Sequence, residues 1–227
     1  MSDTYEDIMY DMAMEEEYRE KYEAELIDKA IAELPIDNIR FYLGTYGDAI
    51  EARVKKCLDQ ANQLIKDKNF GSALVISVTG IEIIFRFFIL RPLVEGAFLS
   101  DELAGILIQR ILPGQTARDR ELLPMITKHW NIPLTDLKLS NDKKLWHTLR
   151  SEMLPKRNAV VHKADDVEEK YPLCAIECAS VLLKEVVVPM AKNFGLTWPE
   201  TGVWHKIDHR TETGGGTTIY TPSSPFK

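Results

Sequence analysis

The sequence has few cysteines, and no two of them lie at the spacing of a metal-binding CxxC pair. The three thiols are Cys57, Cys174 and Cys178, an odd number that does not suit a disulfide framework. We therefore expect reduced thiols, as in proteins of the cytoplasm. Cys174 and Cys178 are four positions apart on a predicted helix and share one face, so we interpret them as small core residues.

Motifs of the common nucleotide-binding and acyl-transfer sites are absent as well. There is no P-loop, no glycine-rich dinucleotide turn and no GxSxG elbow. The glycines of TETGGGTTIY, residues 211–220, precede a strand-like run without the lysine and helix that phosphate binding needs. His205 and His209 have the spacing of a helical metal pair, but their surroundings are loop-like and lack a third ligand. Neither a metal ion nor a cofactor is expected.

One apolar run, ALVISVTGIEIIFRFFIL at residues 73–90, is long enough to suggest a membrane span. Glu82 and Arg86 lie near its middle, and each would cost about 2.5–3.5 kcal/mol at the centre of a bilayer. The run therefore predicts the buried helix of a bundle. The N-terminal residues have no basic segment followed by an apolar one, so no signal peptide is expected. We predict a cytoplasmic protein without a membrane partner.

The net charge of −7 disfavours a nucleic-acid partner at first sight, but the distribution of the charge does not. Residues 1–34 carry twelve Asp and Glu against three Lys and Arg, a balance of −9, so the other 193 residues sum to +2. From Lys143 to Lys163 there are six basic residues and one acidic residue, Glu152. This local basic cluster predicts an anionic partner such as RNA.

Apolar residues recur at three- and four-residue spacing through most of residues 48–193, which predicts an all-α helical bundle. Residues 1–47 form an acidic, mainly helical N-terminal extension, in which 39–47 is compatible with a strand or a loop. Residues 194–227 are rich in Gly, Thr, Ser and Pro, which predicts an irregular tail or a hairpin that turns at 214–216.

Caps and helix breakers place the helix ends within the bundle. The first predicted helix begins at Asp48, and the others span about 71–91, 101–112, 117–130, 141–154 and 167–192. Ser100 and Ser140 are predicted N-caps, Pro155 is predicted to interrupt the fifth helix, and Pro189 to kink or end the last. The apolar face predicted for the last helix consists of Leu173, Ile176, Ser180, Leu183, Val187 and Met190.

The segment KRNAVVHKADD, residues 156–166, places Arg157, Asn158 and His162 within six positions. This set suits RNA cleavage without a metal ion, which needs a group that moves protons at the 2′-hydroxyl or the 5′-oxygen and a cation that stabilises the phosphate. Histidine suits the first task because it titrates near neutral pH. Arginine, always charged and fork-shaped, suits the second. Asn158 can orient the histidine or a phosphate oxygen.

Arg157 and His162 do not converge on a straight helix, since five residues turn it by about 500° and leave the two side chains about 140° apart. They meet only if the segment bends or if two copies come together in a dimer. The structural alternative is that Arg157 pairs with Asp165 or Asp166, while His162 caps the preceding helix or lies at the surface of the bundle.

The stretch from Lys156 to Lys163 resembles the signature of the HEPN superfamily (higher eukaryotes and prokaryotes nucleotide-binding). That signature is an arginine, a polar residue such as asparagine, and a histidine a few positions later. The surroundings are similar too, because two antiparallel helices come first, the second carrying ALVISVTGIEIIFRF, and a long helix follows. The resemblance covers about residues 48–193 and implies a HEPN-like helical bundle.

The resemblance also implies a metal-independent endoribonuclease that dimerises to bring two Arg/His pairs into one cleft. Matched by position, Arg157 and His162 would be catalytic and Asn158 the supporting polar residue. Proteins of this kind are common as toxins of toxin–antitoxin pairs and as effectors of abortive infection and other antiviral defence. A neutralising antitoxin or a defence-system partner protein is therefore implied as well.

Other charged residues are expected to assist this site. Glu82 and Arg86, four apart on the most apolar helix, either form an intrahelical ion pair or face the cleft and orient the Arg/His set. The residues expected to steer the RNA backbone are Lys143, Lys144, Arg150, Lys156 and Lys163.

A second function stays open, that of a non-catalytic HEPN-like module that dimerises or binds a nucleotide within a larger defence or toxin–antitoxin complex. The acidic residues 1–34 suit either function, since they could cover the basic cleft or dock on a partner. The replacement His162→Ala separates the two. An enzyme would lose activity and keep its fold and dimer, whereas a module would be unaffected unless His162 is structural.

Overall fold

The computed structural model describes residues 36–92, 123–128, 130–194 and Leu196, together with five residues near the N-terminus. Among these, helices predominate and no strand forms; one isolated antiparallel bridge joins Lys138 and Lys144. The predicted all-α fold is thereby confirmed for this part of the chain. The helix predicted after Ser100, and the tail with His205 and His209, lie outside the described residues.

The chain divides into two compact units, Met1–Leu34 and Pro35–Lys227. In the first unit the described residues are Met14, Glu15, Tyr18, Lys21 and Tyr22, all of them helical and exposed. The remainder of the predicted acidic helix lies outside the described residues.

The first long helix of the second unit, α1, spans Ile36–Lys66. It therefore begins well before the predicted start at Asp48, and the segment 39–47 is neither strand nor loop. Its fully buried stripe runs through Ile39, Leu43, Ile50 and Val54 at helical spacing. Two glycines at 44 and 47 obscured that stripe in the sequence. Each costs about 1 kcal/mol in a helix interior, less than the burial of the apolar residues around it provides.

Helix α2 spans Phe70–Ile83 and continues as a π-helical segment, Ile84–Leu90. It begins at Asn69, whose side-chain oxygen accepts a hydrogen bond from the Ser72 amide at 3.3 Å. Helix α2 packs against α1 where Gly80 lies beside Cys57, and a Cβ at position 80 would be in ordinary contact with the Cβ of Cys57 at 3.4 Å.

Among the described residues, Phe70–Leu90 is the one helical stretch long and apolar enough to cross a membrane by length and composition. The most apolar 18 residues of this stretch have a mean hydropathy of 2.2, and 61% of them are buried inside the protein. The helices that cover it are α1 and the helix beginning at Lys170.

The helix that carries the motif comprises α3 (Leu145–Thr148), a π-helical segment (Leu149–Met153) and α4 (Leu154–Lys163). The prediction of Ser140 as its N-cap was wrong. Asp142 adopts a left-handed conformation with φ 63°, and its amide donates to the Leu139 carbonyl at 3.0 Å. This turn uses the residues that would have formed the first helical turn, and the Ser140 amide instead donates to Glu177 at 2.6 Å.

Three π-helical segments each precede a proline: Pro92, Pro155 and Pro189. Proline lacks an amide hydrogen and its ring clashes with the carbonyl four residues earlier. A wider turn just before it lets the helix continue. Pro155 therefore does not interrupt the helix as predicted, but lies in the first turn of α4.

The last helix comprises α5 (Lys170–Leu182), a π-helical segment (Leu183–Val187) and α6 (Val188–Asn193). The face predicted for it was partly wrong, since Leu173 is 48% exposed and Ser180 is exposed. Helix α5 packs against α2, and several of its buried residues, such as Ala175, Cys178 and Ala179, are small. The buried residues of this helix are Pro172, Ala175, Cys178, Ala179, Leu182, Val186, Val187, Met190 and Ala191.

Candidate active site

Arg157, Asn158 and His162 all lie on α4, and Arg157 links α4 to α2. Its Nη2 donates a hydrogen bond to Glu82 Oε1 at 2.5 Å, and its Nη1 donates to Asn158 Oδ1 at 3.0 Å. The Arg157 side chain is 23% exposed and that of Glu82 is 36% exposed. The result is a chain of contacts, Glu82–Arg157–Asn158, that runs from between the helices to the surface.

Glu82 and Arg157 meet because α2 and the motif helix run antiparallel. Val160 lies beside Gly71, while Trp146 lies beside Phe85, so residue numbers rise along one helix as they fall along the other. Helical side chains lean towards the N-terminus of their own helix. In an antiparallel pair, Glu82 and Arg157 therefore lean towards each other. Arg157 therefore pairs with Glu82, and not with Asp165 or Asp166 as in the structural alternative.

His162 is exposed and lies one turn beyond Asn158, on the same face of α4. It is also in the last turn of the helix, where a positive charge is favourable. Because α4 is a regular helix from Leu154 to Lys163, Arg157 and His162 stay about 140° apart within one chain. The bend that would bring them together is absent from α4. Asn158 is the motif residue placed between them.

Arg157 keeps hydrogen-bond donors beyond those used by Glu82 and Asn158. A guanidinium carries five N–H groups, two on each terminal nitrogen and one on Nε. One N–H of each terminal nitrogen is engaged, and the buried Nε has no hydrogen-bond partner. The Arg157 side chain can therefore bind a phosphate oxygen while it remains attached to α2.

Glu82 lies at the candidate site next to Arg157. Arg86 does not form the predicted ion pair with Glu82. The ion pair of Glu82 is with Arg157, and Arg86 is exposed on the π-helical segment that follows. A π-helical turn holds more residues than an α-helical turn, so the spacing of four no longer places Arg86 directly above Glu82.

The lysines predicted to steer RNA are partly engaged with carboxylates. Lys143 Nζ lies 2.8 Å from Glu152 Oε1, and this hydrogen bond together with the charge of Glu152 raises the pKa of Lys143. Lys144 Nζ lies 3.9 Å from Asp136. Both lysines are exposed, and such surface pairs are weak enough to exchange for phosphates.

The other basic residues lie beside aromatic rings, on two flanks of the motif helix. The guanidinium of Arg150 is 5.8 Å from the ring centre of Trp146, which contacts Phe85 of the α2 π-helical segment. The ammonium of Lys156 is 5.7 Å from the ring centre of Tyr171 on α5. The structure thus pairs cations with aromatic rings that the sequence reasoning missed. The signal was present in the sequence as tryptophan and tyrosine interleaved with basic residues.

Lys163, the last of the predicted basic residues, is exposed at the C-terminal end of α4. It follows His162 directly and lies in the same final helical turn. Its position therefore places a positive charge next to the candidate general acid or base.

Cys174 and Cys178 share a face of α5 as predicted; Cys174 is half-buried and Cys178 buried. A hydrogen bond from the Cys178 thiol lowers the pKa of Cys174, and the same bond, with burial, raises the pKa of Cys178. Burial also raises the pKa of Cys57. In the described part of the chain, no group of three or more His, Cys, Asp and Glu side chains could hold a metal ion.

Cys174 should be the first of the three thiols to react with iodoacetamide. Its lowered pKa gives it more thiolate at a given pH, so labelling should begin at a lower pH than at Cys57. Mass spectrometry of the folded protein after limited labelling locates the modified residue, and Cys178→Ser, which leaves a hydroxyl donor, serves as control. First labelling at Cys57 or Cys178 would contradict this assignment.

The sequence matches no protein-family model, and neither the curated proteins nor the solved structures contain a significant match.

Proposed function

We propose that this chain is a metal-independent endoribonuclease of the HEPN type with a HEPN-like helical bundle. The observation that carries the proposal is the contact chain Glu82–Arg157–Asn158 with His162 exposed one turn further on. It combines a guanidinium that is anchored to α2 but keeps unused N–H groups, a polar amide and an accessible imidazole. Basic side chains of the motif helix, beside Trp146 of the same helix and Tyr171 of α5, supply a surface for an RNA strand.

The reaction is a transesterification in which the 2′-oxygen attacks phosphorus and the bond from phosphorus to the 5′-oxygen breaks. His162 acts as general acid or base, either taking the proton of the 2′-hydroxyl or protonating the leaving 5′-oxygen, and water supplies or accepts the other proton. Arg157 stabilises the negative charge that builds on the phosphate oxygens. Asn158 orients Arg157 through its side-chain oxygen. The products are a 2′,3′-cyclic phosphate and a 5′-hydroxyl.

A homodimer completes the site in this proposal. Within one copy Arg157 and His162 diverge around α4, so the His162 that serves a given Arg157 comes from a second copy. A symmetric dimer with α4 against α4 places both motifs in one shared cleft. The exposed Val161, 51% accessible and next to His162, gives that face an apolar contact point.

The proposed setting is the cytoplasm, where the enzyme acts as a toxin or as an effector of antiviral defence. An unregulated ribonuclease harms the cell that makes it, so a neutralising antitoxin or a partner of the defence system is part of the proposal. Lys143, Lys144, Arg150, Lys156 and Lys163 bind the RNA backbone, with Lys143 and Lys144 exchanging carboxylates for phosphates.

The test is cleavage of a labelled RNA pool in EDTA by the wild type and by His162→Ala. The wild type should cleave, and His162→Ala should be slower by about 100-fold or more, since general acid–base catalysis contributes that much. His147→Ala is the matched control, because His147 is an exposed histidine of the same helix, outside the motif. Equal loss in both variants, or none in His162→Ala, would contradict the role of His162.

The second candidate function is a non-catalytic module that binds a nucleotide. The engagement of both Arg157 terminal nitrogens by Glu82 and Asn158 favours it, since these bonds also suit a fixed binding pocket. Such a module would bind a nucleotide in an Arg157-dependent way and leave RNA intact, even with the dimer formed.

A further inference from the structure

The loop that leads into the motif helix leaves one side of its backbone unpaired. Lys138 and Lys144 form an antiparallel bridge, whose hydrogen bonds are made by the flanking residues. In one of them, the Leu137 carbonyl accepts from the Leu145 amide at 2.8 Å. The C=O and N–H of one trans peptide point in opposite directions, so the Lys138 amide points away from the bridge, as does the Lys138 carbonyl. Among the described residues, no backbone hydrogen bond uses either group. This side of residues 136–138 is an open edge.

The open edge faces helix α5. The Leu139 carbonyl accepts from the Asp142 amide at 3.0 Å, within the turn. The amide of the same peptide, that of Ser140, therefore points to the other side, as the Lys138 amide does. There it donates a hydrogen bond to Glu177 Oε1 of α5 at 2.6 Å. The unpaired amide and carbonyl of Lys138 consequently lie on the side of the loop that is turned towards α5.

A cleft of about 550 Å³ lies between the open edge and α5. Residues 136–138 form one wall, and residues of α5 and its π-helical segment, between 177 and 185, form the other. The apolar residues of the lining, Leu137 and Val181, are half-buried. An extended peptide adds to such an edge through its backbone and places alternate side chains in the neighbouring pocket. The cleft therefore suits a short extended segment of chain.

The charged side chains that line the cleft each have a partner of opposite charge or a backbone donor. The pairs are Lys184–Glu185 at 3.2 Å, Lys138–Asp142 at 3.4 Å, Lys144–Asp136 at 3.9 Å, and Glu177 with the Ser140 amide at 2.6 Å. A charged occupant would compete with these pairs, whereas an uncharged one leaves them intact. The electrostatics of the cleft therefore favour an uncharged segment.

The C-terminal tail of the chain starts close to this cleft. At the end of α6, Asn193 Nδ2 donates to the Trp130 carbonyl at 2.5 Å, and the ring centres of Phe194 and Trp130 are 5.3 Å apart. Trp130 precedes Asp136 by six residues, which span about 20 Å at most. The twenty residues 197–216 can span a further 65–70 Å or so when extended, roughly three times that distance. The part of the tail that follows them is therefore within reach of the cleft.

Residues 217–221 lie outside the described residues, and their sequence, TTIYT, suits an added strand. Threonine, isoleucine and tyrosine favour an extended backbone. The segment has no charged residue and no proline, so every one of its amides can donate. Ile219 and Tyr220 provide apolar side chains for contact with Val181 of the cleft.

We propose that residues 217–221 lie in the cleft of their own copy as an added strand, whose backbone pairs with the amide and carbonyl of Lys138. This inference goes beyond the proposed function and uses no residue of the candidate active site. It gives the tail a docking surface and ties it to the loop that precedes the motif helix.

Hydrogen exchange of the full chain, followed by NMR, tests the pairing. The Lys138 amide should exchange about tenfold more slowly in the wild type than in Ile219→Pro, because one backbone hydrogen bond protects an amide by about that factor. Proline at 219 removes an amide that the strand needs and lies outside the described helices. Glu212→Pro, earlier in the tail, is the matched control and should behave as the wild type. The Ser140 amide, held by Glu177, is the internal reference and should not change.

A variant of the cleft gives the reciprocal measurement. In Val181→Asp, the amides of residues 217–221 should exchange about tenfold faster than in the wild type, because a carboxylate replaces the apolar contact. Leu173→Asp is the matched control, since Leu173 is an exposed leucine of α5 outside the cleft, and it should leave these amides unchanged. Thermal denaturation verifies that both variants are folded.

Equal exchange of the Lys138 amide in the wild type and in Ile219→Pro would overturn the proposal, because another group, or none, would then pair with the open edge. Protection of residues 217–221 that appears only at concentrations at which the chain is dimeric would also overturn it, because the cleft would then hold the tail of a second copy. Neither readout involves RNA, so the result leaves the proposed function as it stands.

Discussion

Arg157→Ala and His162→Ala should each cleave RNA about 100-fold or more slowly than the wild type, but an equimolar mixture of the two should recover about a quarter of the wild-type rate. The reason is the regular helix α4, which keeps the two side chains on different faces of one copy. In a composite site, Arg157 of one copy acts with His162 of the other. Random pairing makes about half of the dimers mixed, and each mixed dimer has one of its two sites intact.

The matched control replaces one component of the mixture with the double variant that lacks both side chains. Mixing Arg157→Ala with that double variant leaves no site with both groups, so the rate should stay at the level of either component. Co-expression ensures that subunits exchange, and size-exclusion chromatography verifies the dimer. If the two single variants are inactive and their mixed dimers remain inactive, Arg157 and His162 of the same copy act together and the composite site is wrong.

The replacement Glu82→Gln should lower kcat by about 10–100-fold, because a small displacement of a catalytic group can cost that much. Glu82 anchors Arg157 to α2 through a charge-assisted hydrogen bond. An amide keeps the shape of the side chain but loses the charge, so Arg157 is held less firmly. KM should change less than kcat, since the lysines and Arg150 that bind the RNA backbone are untouched. Glu82→Asp keeps the charge and should recover part of the rate.

The control for Glu82→Gln is Glu152→Gln. It removes a carboxylate of the motif helix that pairs with a basic residue outside the motif, Lys143. It should leave kcat near the wild-type value. Both variants should unfold within about 1 kcal/mol of the wild type, because partly exposed ion pairs contribute little to stability. A kcat for Glu82→Gln equal to that of Glu152→Gln would show that Glu82 does not position Arg157.

Among the described residues, local signals were sufficient to predict the helices but not all of their ends. The spacing of the apolar residues predicted α2 and the motif helix. The start of α1 was missed because glycines at 44 and 47 resemble a loop, although the buried stripe through Ile39 and Leu43 outweighs them. Ser140 was misread as a cap because the left-handed Asp142, which closes the preceding turn, has no certain sequence signature.

The site could be predicted in its parts but not in its connections. Helical geometry alone gave the divergence of Arg157 and His162, and it placed Asn158 and His162 on one face. The contact between Glu82 and Arg157 joins residues far apart in the sequence, so it depends on how α2 and α4 pack. The exposure of Arg86 depends on a π-helical segment. Such a segment rotates the side chains that follow it, but the spacing of apolar residues in the sequence does not reveal it.

The chemical ends of the RNA products decide whether this chain cleaves RNA by metal-independent transesterification. A labelled RNA is cleaved in EDTA by the wild type, and the ends are identified by their reaction with a phosphatase and a kinase before and after acid opening of cyclic phosphates. Transesterification assisted by His162 and Arg157 predicts 2′,3′-cyclic phosphate and 5′-hydroxyl ends, at a rate that the chelator does not change. If the products instead carry a 3′-hydroxyl and a 5′-phosphate, and form only when no chelator is present, the metal-independent transesterification is contradicted.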